Sequence, residues 1–140
     1  VDEVNTVLNK KSGMLGLSHL SNDMRQIEEE ILERKNPLAI QAFETYAYRI
    51  KKYIGSYSAA MNGVDVIVFT GGVGENMAIL RELVCDDLDW MGIILDKKEN
   101  DQFAPGILNL TGEGSKVKIL KVPTNEELMI AIDTVELLNS

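Results

Sequence analysis

Gly71, Gly72 and Gly74 put three glycines within four positions, in the run Thr70-Gly71-Gly72-Val73-Gly74-Glu75-Asn76. Glycines let a backbone approach a ligand closely, and a helix that follows such a turn offers unpaired N–H groups and the positive end of its dipole. That combination suits a nucleotide; a tight strand-to-helix turn with no ligand is the plain alternative. Two familiar nucleotide signatures do not fit. A dinucleotide loop needs a third glycine where Met77 stands, and no acidic residue closes a following strand at the expected distance. A Walker A loop needs Gly-Lys-Ser or Gly-Lys-Thr after its glycines, and neither occurs here. A different nucleotide fold is the better candidate.

Two further places could do chemistry. In Val122-Pro123-Thr124-Asn125-Glu126-Glu127, Thr124 and Glu127 have the spacing of a capping box. If Glu127 closes that box, Glu126 is free to hold a magnesium ion or a water; simple complementarity to the helix dipole is the alternative for both acids. Asp23, Met24 and Arg25 follow Ser21-Asn22 at a helix start, where an acid and an arginine could clamp a nucleotide sugar and base. Surface capping is the default reading there. His19 and Cys85 are the only residues of their kinds, so neither a zinc cluster nor a Ser/His/Asp triad can be assembled. Cys85 falls among Leu83, Val84 and Leu88 and is expected to pack rather than react.

The elements that must position these residues follow from periodicity. Residues 2–10 place Val4, Val7 and Leu8 on one face of a short helix, and residues 11–18 read as an ordered turn or short strand. With Ser21 and Asn22 as caps and Asp23 in the first turn, a helix is expected to run to about Arg34, burying Met24, Ile27 and Ile31. After Asn36-Pro37, residues 38–61 repeat Phe43, Tyr46, Ala47, Ile50, Ile54, Tyr57 and Met61 at helical spacing. Residues 64–69 are β-rich and apolar on both faces, as in a central parallel strand. They run into the glycine turn and a helix over 77–91. Short strands are expected at 92–95 and 117–122, with a long polar connection over 96–115. A last helix, capped by Thr124, would pack through Leu128, Ala131, Ile132, Val135 and Leu138. The pattern is α/β.

Composition bounds the partners. The 140 residues carry a net charge of −8, are 45% hydrophobic and 26% charged. Such an acidic domain argues against nucleic acid, and no apolar run is long enough to span a membrane. One cysteine excludes an internal disulfide framework and fits a reducing, cytoplasmic setting. The chain begins at Val1 without Met, so a piece of a longer product is expected.

The three places, in this order, resemble the C-terminal portion of the acetate and propionate kinase family. The likeness covers essentially the whole chain, in NKKSGMLGLS at 9–18, SNDMRQIEE at 21–29, FETYAYRIKKYIG at 43–55, VIVFTGGVGEN at 66–76 and VPTNEELMIA at 122–131. It implies a ribonuclease H-like domain of the sugar kinase, Hsc70 and actin superfamily (ASKHA). It also implies reversible transfer of the ATP γ-phosphoryl group to acetate with magnesium, giving acetyl phosphate and ADP. Propionate and butyrate are the alternative acceptors. On this likeness Asp23, Met24 and Arg25 line an adenosine pocket, Gly72, Val73, Gly74, Glu75 and Asn76 close over the nucleotide, and Glu126 stands near magnesium and the transferred phosphate. The family's other catalytic groups and its acceptor pocket would precede Val1. Residues 1–140 would then be the C-terminal nucleotide-binding domain of a two-domain kinase, inactive alone and homodimeric in the whole enzyme. A dinucleotide-binding oxidoreductase subdomain and a non-enzymatic interaction module, docking through residues 38–61, are the rival classes.

Overall fold

The computed structural model describes residues 1–139. Among the described residues, eight α-helices accompany a three-stranded sheet. The longest helix, α4 (Pro37–Ala60), forms as its periodicity predicts. Asn36 caps it, its side-chain oxygen accepting from the Leu38 N–H at 3.1 Å, and Pro37 fills the first helical position, where no N–H is needed. Its buried face carries Ala39, Ala42, Phe43 and Ala47. The three alanines let α4 sit close against α2 (Gly13–Ser18), α3 (Met24–Leu32) and α6 (Ala78–Cys85), which flank it. Ile27 and Ile31 of α3 and Leu80 and Val84 of α6 complete this helical core.

Strand β1 (Val66–Phe69) pairs in parallel with β3 (Lys118–Lys121), Val66 opposite Lys118 and Phe69 opposite Lys121. The short β2 (Leu108–Asn109) adds antiparallel to the far side of β3. The central strand is therefore β3. Instead of the two-sided burial expected of it, β1 alternates: Ile67 and Phe69 are buried, whereas Val66 and Val68 are 41% and 50% exposed.

Several boundaries differ from the sequence expectation. Residues 11–18 hold a helix, α2, rather than a turn or strand; α1 (Asp2–Lys10) precedes it. Gly13 adopts φ +63° where the chain enters α2, and His19 ends it in the left-handed region at φ 55°. The buried Ser18 hydroxyl accepts from the N–H groups of Leu20 and Ser21, closing the turn. The cap of α3 is Asp23 itself, one residue later than expected, with its carboxylate accepting from the Arg25 N–H at 2.9 Å.

The glycine run is helical: α5 (Gly71–Asn76) begins directly after β1, and extended backbone at Met77 (φ −106°, ψ 91°) separates it from α6. The helix expected over 77–91 stops at Cys85. Asp87 is left-handed, and a 3-10 turn follows over Asp89–Met91. Residues 92–95 supply only a bridge from Leu95 to Thr111. The polar connection contains α7 (Lys97–Asn100) and β2.

At the end of the chain, α8 (Glu126–Asn139) forms but buries none of its described residues. Leu128, Met129, Ile130 and Ile132 are consecutive or nearly so, spreading apolar surface around the helix instead of gathering it on one face. The expected packing of Leu128, Ile132, Val135 and Leu138 is not made: all are at least 40% exposed. No helix among the described residues is long and apolar enough to cross a membrane.

Candidate nucleotide-binding site

Two of the three segments meet in space. Asn22, Asp23, Met24, Arg25 and Glu28, at the start of α3, face Gly72, Val73, Asn76 and Met77 across an open cleft of about 630 Å³. That volume lies within the range of small-molecule sites. Met24, Val73 and Met77 give it apolar walls, while Asn22 and Asn76 bring amides to it. An adenine ring, flat and apolar with polar edges, fits such a lining. The sequence reading missed Asn22, Glu28 and Met77 as lining groups. Glu28 lies one turn after Met24 on the same helix face, a spacing that could have indicated it. Burial pushes its carboxyl above the ordinary range.

Arg25 stands at the mouth of the cleft, its side chain 86% exposed. It folds onto Asp23 through two contacts, Nε to Oδ1 at 3.1 Å and Nη2 to Oδ2 at 2.7 Å. Hydrogen bonding from Arg25 holds the Asp23 carboxyl below its usual range and raises the guanidinium in return. Asp23 therefore caps α3 and orients Arg25, the only cation lining the cleft among the described residues.

The glycines have different reasons. Gly71 adopts φ +71°, a conformation that favours glycine. A Cβ on Gly74 would stand 3.2 Å from the Phe69 carbonyl carbon, so this glycine allows α5 to lie against the end of β1. A Cβ on Gly72 would meet nothing within 4 Å. Packing inside the chain does not explain Gly72, whose bare backbone lines the cleft. Asn76 is held beside it, its side-chain amide donating to the Gly72 carbonyl at 2.8 Å.

The third segment is tied to α5 from the other side. The Gly71 N–H donates to Thr124 Oγ1 at 2.9 Å, and the Thr70 and Thr124 hydroxyls are 2.6 Å apart. In return the Thr124 N–H donates to Glu75 Oε1 at 2.8 Å. These bonds replace the capping box expected between Thr124 and Glu127. Thr124 serves α5, and Asn125 caps α8, its side chain accepting from the Leu128 N–H at 3.1 Å. The physical reason is reach: with Asn125 at the cap position, Thr124 lies one residue too early and its hydroxyl is free for the glycine helix. The Glu75 carboxylate is occupied by this staple. Glu126 is exposed at the first position of α8 and does not line the cleft.

Among the described residues, no group of three or more His, Cys, Asp and Glu side chains could hold a metal ion. A lone carboxylate still matches the way magnesium is often bound, through one or two carboxylates, waters and substrate phosphates. His19 serves as the left-handed end of α2, and burial pushes the Cys85 thiol up to about 12, which leaves it protonated and unreactive.

The acetokinase family model matches residues 1–132. The chain is 51% identical over 132 residues to an acetate kinase of Clostridium acetobutylicum, covering 94% of this chain and 33% of that protein. To an acetate kinase of Thermosipho africanus it is 55% identical over 139 residues, covering 98% and 34%. The crystal structure of Porphyromonas gingivalis acetate kinase superposes with a TM-score of 0.88 at 48% identity, over 99% of this chain and 34% of that one. That of a Francisella tularensis propionate kinase superposes with 0.81 at 36% identity, over 94% and 33%. The chain thus spans about a third of the length of the curated relatives it matches.

Proposed function

The chain belongs to the acetokinase family and has its ribonuclease H-like α/β fold, and we propose that it is the nucleotide-binding part of an acetate kinase. In this reading the whole protein moves the ATP γ-phosphoryl group to acetate, reversibly, giving acetyl phosphate and ADP with magnesium. The observation that carries the reading is the shared cleft: Asp23–Arg25 on one side and Gly72, Val73 and Asn76 on the other, nearly fifty residues apart in sequence, supply its two walls, while Gly74 and Glu75 do not line it. The adenosine half of the ligand takes the apolar walls and the bare backbone at Gly72, with Arg25 at the sugar. Glu126 is the proposed carboxylate for a phosphate-bound magnesium ion.

Among the described residues, Arg25 is the one cationic side chain lining the cleft. A phosphoryl transition state needs several cations or metal ions around its equatorial oxygens. The proposal therefore assigns the acceptor site and the main charge stabilisation to parts of the whole protein outside this chain, and phosphorylation of acetate by the chain alone is not expected.

Calorimetry with adenosine, ADP and ADP plus magnesium tests the reading. The chain should bind ADP with a Kd of about 0.1–1 mM, roughly 4–5.5 kcal/mol. Arg25→Ala should weaken adenosine and ADP alike, by about tenfold, close to 1.4 kcal/mol. Glu126→Gln should leave adenosine unchanged and matter only with phosphate and magnesium together. If Glu126→Gln damages adenosine binding or melts the domain, the residue is a structural carboxylate and the metal role fails.

A homodimer is the second part of the proposal. On the exposed side of α4, the Tyr53 and Tyr57 rings stack at 6.0 Å, Arg49 lies 5.8 Å over Tyr53, and Lys52 lies 5.6 Å over Tyr48. Tyrosine and arginine are enriched at interfaces. Tyr46, which the sequence placed in the same stripe, instead packs against the core. Sedimentation should return twice the chain mass; a monomer throughout the micromolar range would remove this part of the proposal.

A further inference from the structure

Arg81 of α6 is only 3% exposed, and among the described residues no carboxylate pairs with it within 4 Å. A buried guanidinium is costly unless its donors are met. Here they are met by carbonyl-type oxygens. Nε donates to Asn100 Oδ1 at 2.7 Å and Nη2 to the Asn100 carbonyl at 3.0 Å. Nη1 donates to the Gly74 and Glu75 carbonyls at 2.9 and 3.0 Å. Asn100, 1% exposed at the end of α7, is fixed in turn by its own amide, which donates to the Ala78 carbonyl at 2.9 Å.

The location of these acceptors matters. Gly74 and Glu75 lie in the last turn of α5, where helix carbonyls have no partner within the helix. The extended residue Met77 interrupts the helical hydrogen bonding between α5 and α6, so continuous helix does not fix the angle between them. Arg81 reaches back across that break and ties the end of α5 to α6 and α7. From α5, Gly72, Val73 and Asn76 face the cleft, and Glu75 holds the Thr124 N–H on the opposite side.

We propose that Arg81 is a positioning residue for the nucleotide cleft: without touching the ligand, it sets the pose of the glycine helix through the Gly74 and Glu75 carbonyls. The inference rests on the nucleotide reading of the cleft. Its planar fork is the essential feature, because a lysine at this position offers one point of attachment and cannot hold Asn100 and both carbonyls in one geometry.

The test uses the 140-residue chain, with Arg81→Lys, Asn76→Ala, Arg25→Ala and the two double variants that contain Arg81→Lys. Arg81→Lys should weaken adenosine binding about tenfold while unfolding stays cooperative. The loss should be non-additive with Asn76→Ala, which acts on the same helix, and additive with Arg25→Ala across the cleft. Amide exchange at Thr124 should accelerate about tenfold, with Ile119 in the central strand unchanged. Additivity with both partners, or unchanged affinity, would overturn the proposal, as would equal acceleration at Thr124 and Ile119. If the parent chain binds neither adenosine nor ADP, the nucleotide reading fails. The exchange comparison at Thr124 then still decides whether Arg81 clamps α5. Should Arg81→Lys not fold, Asn100→Ala removes the Nε acceptor, and with it the amide bond to the Ala78 carbonyl, while Arg81 keeps its three carbonyl acceptors. That variant must then lower adenosine affinity and speed Thr124 exchange, or the proposal is wrong.

Discussion

Phe43→Ala is expected to lower the unfolding free energy by about 3–5 kcal/mol, the cost of removing a large side chain from a core that cannot close around the void. Phe43 is 1% exposed on α4, the helix against which α2, α3 and α6 all pack. Its neighbours on the buried face are Ala39, Ala42 and Ala47, whose side chains are too short to swing into the vacated space. Domains of ordinary stability hold only about 5–15 kcal/mol, so the variant should lose a large share of the total. In urea unfolding followed by circular dichroism, the midpoint should fall with little change in slope. Phe43→Leu, which keeps most of the volume, should cost less than about 1.5 kcal/mol. A loss below 1 kcal/mol for Phe43→Ala would mean that the helical layer does not close around this residue.

The reason α4 was legible in the sequence is the reason Phe43 matters. A 24-residue helix repeats its apolar stripe often enough for the period to be unambiguous, and Asn36-Pro37 marks its start. Short elements gave no such signal. Six-residue α2 and six-residue α5 are each under two turns, and both contain glycines, which ordinarily argue against helix. They form because their neighbours fix them: α2 lies on α4, and α5 is held at one end by Thr124 and at the other by Arg81. The Thr124 contact joins residues far apart in sequence, which local capping rules cannot see. Hence the capping box assigned to Thr124 and Glu127 gave way to a staple between Thr124 and Glu75, and the cap of α8 moved to Asn125.

The site divides in the same way. Residue chemistry alone marked Asp23–Arg25, the glycine run and Glu126 as separate candidates. Only the family resemblance joined the first two into one nucleotide site, and their common cleft is a tertiary fact. Arg81 and Asn100 had no local signature at all. An arginine on a helix is normally a surface residue, and its burial depends on the backbone break at Met77, which no residue type announced.

Gly72 and Gly74 of α5 should respond to alanine in opposite directions. Gly72 is helical without positive φ, and a Cβ there meets nothing. Gly72→Ala should therefore raise stability by about 0.5–1 kcal/mol, chiefly by restricting the unfolded chain. Gly74→Ala gains the same conformational term but drives its Cβ to 3.2 Å from the Phe69 carbonyl carbon. That backbone cannot yield freely, because the Phe69 carbonyl accepts from the Val122 N–H at 2.9 Å in the sheet. Overpacking costs about 1–3 kcal/mol, so the net change at Gly74 should be destabilising by about 1 kcal/mol. Binding should order the same pair differently. A methyl at Gly72 projects where the proposed adenosine meets bare backbone, so Gly72→Ala should weaken adenosine at least tenfold, and Gly72→Val about a hundredfold, close to 2.7 kcal/mol. A more stable protein that binds less is the signature expected of a glycine kept for a ligand. Thermal unfolding and adenosine calorimetry on the three variants measure both quantities. If Gly72→Val binds adenosine as the parent does, the ligand does not lie against α5, and the cleft loses its assignment.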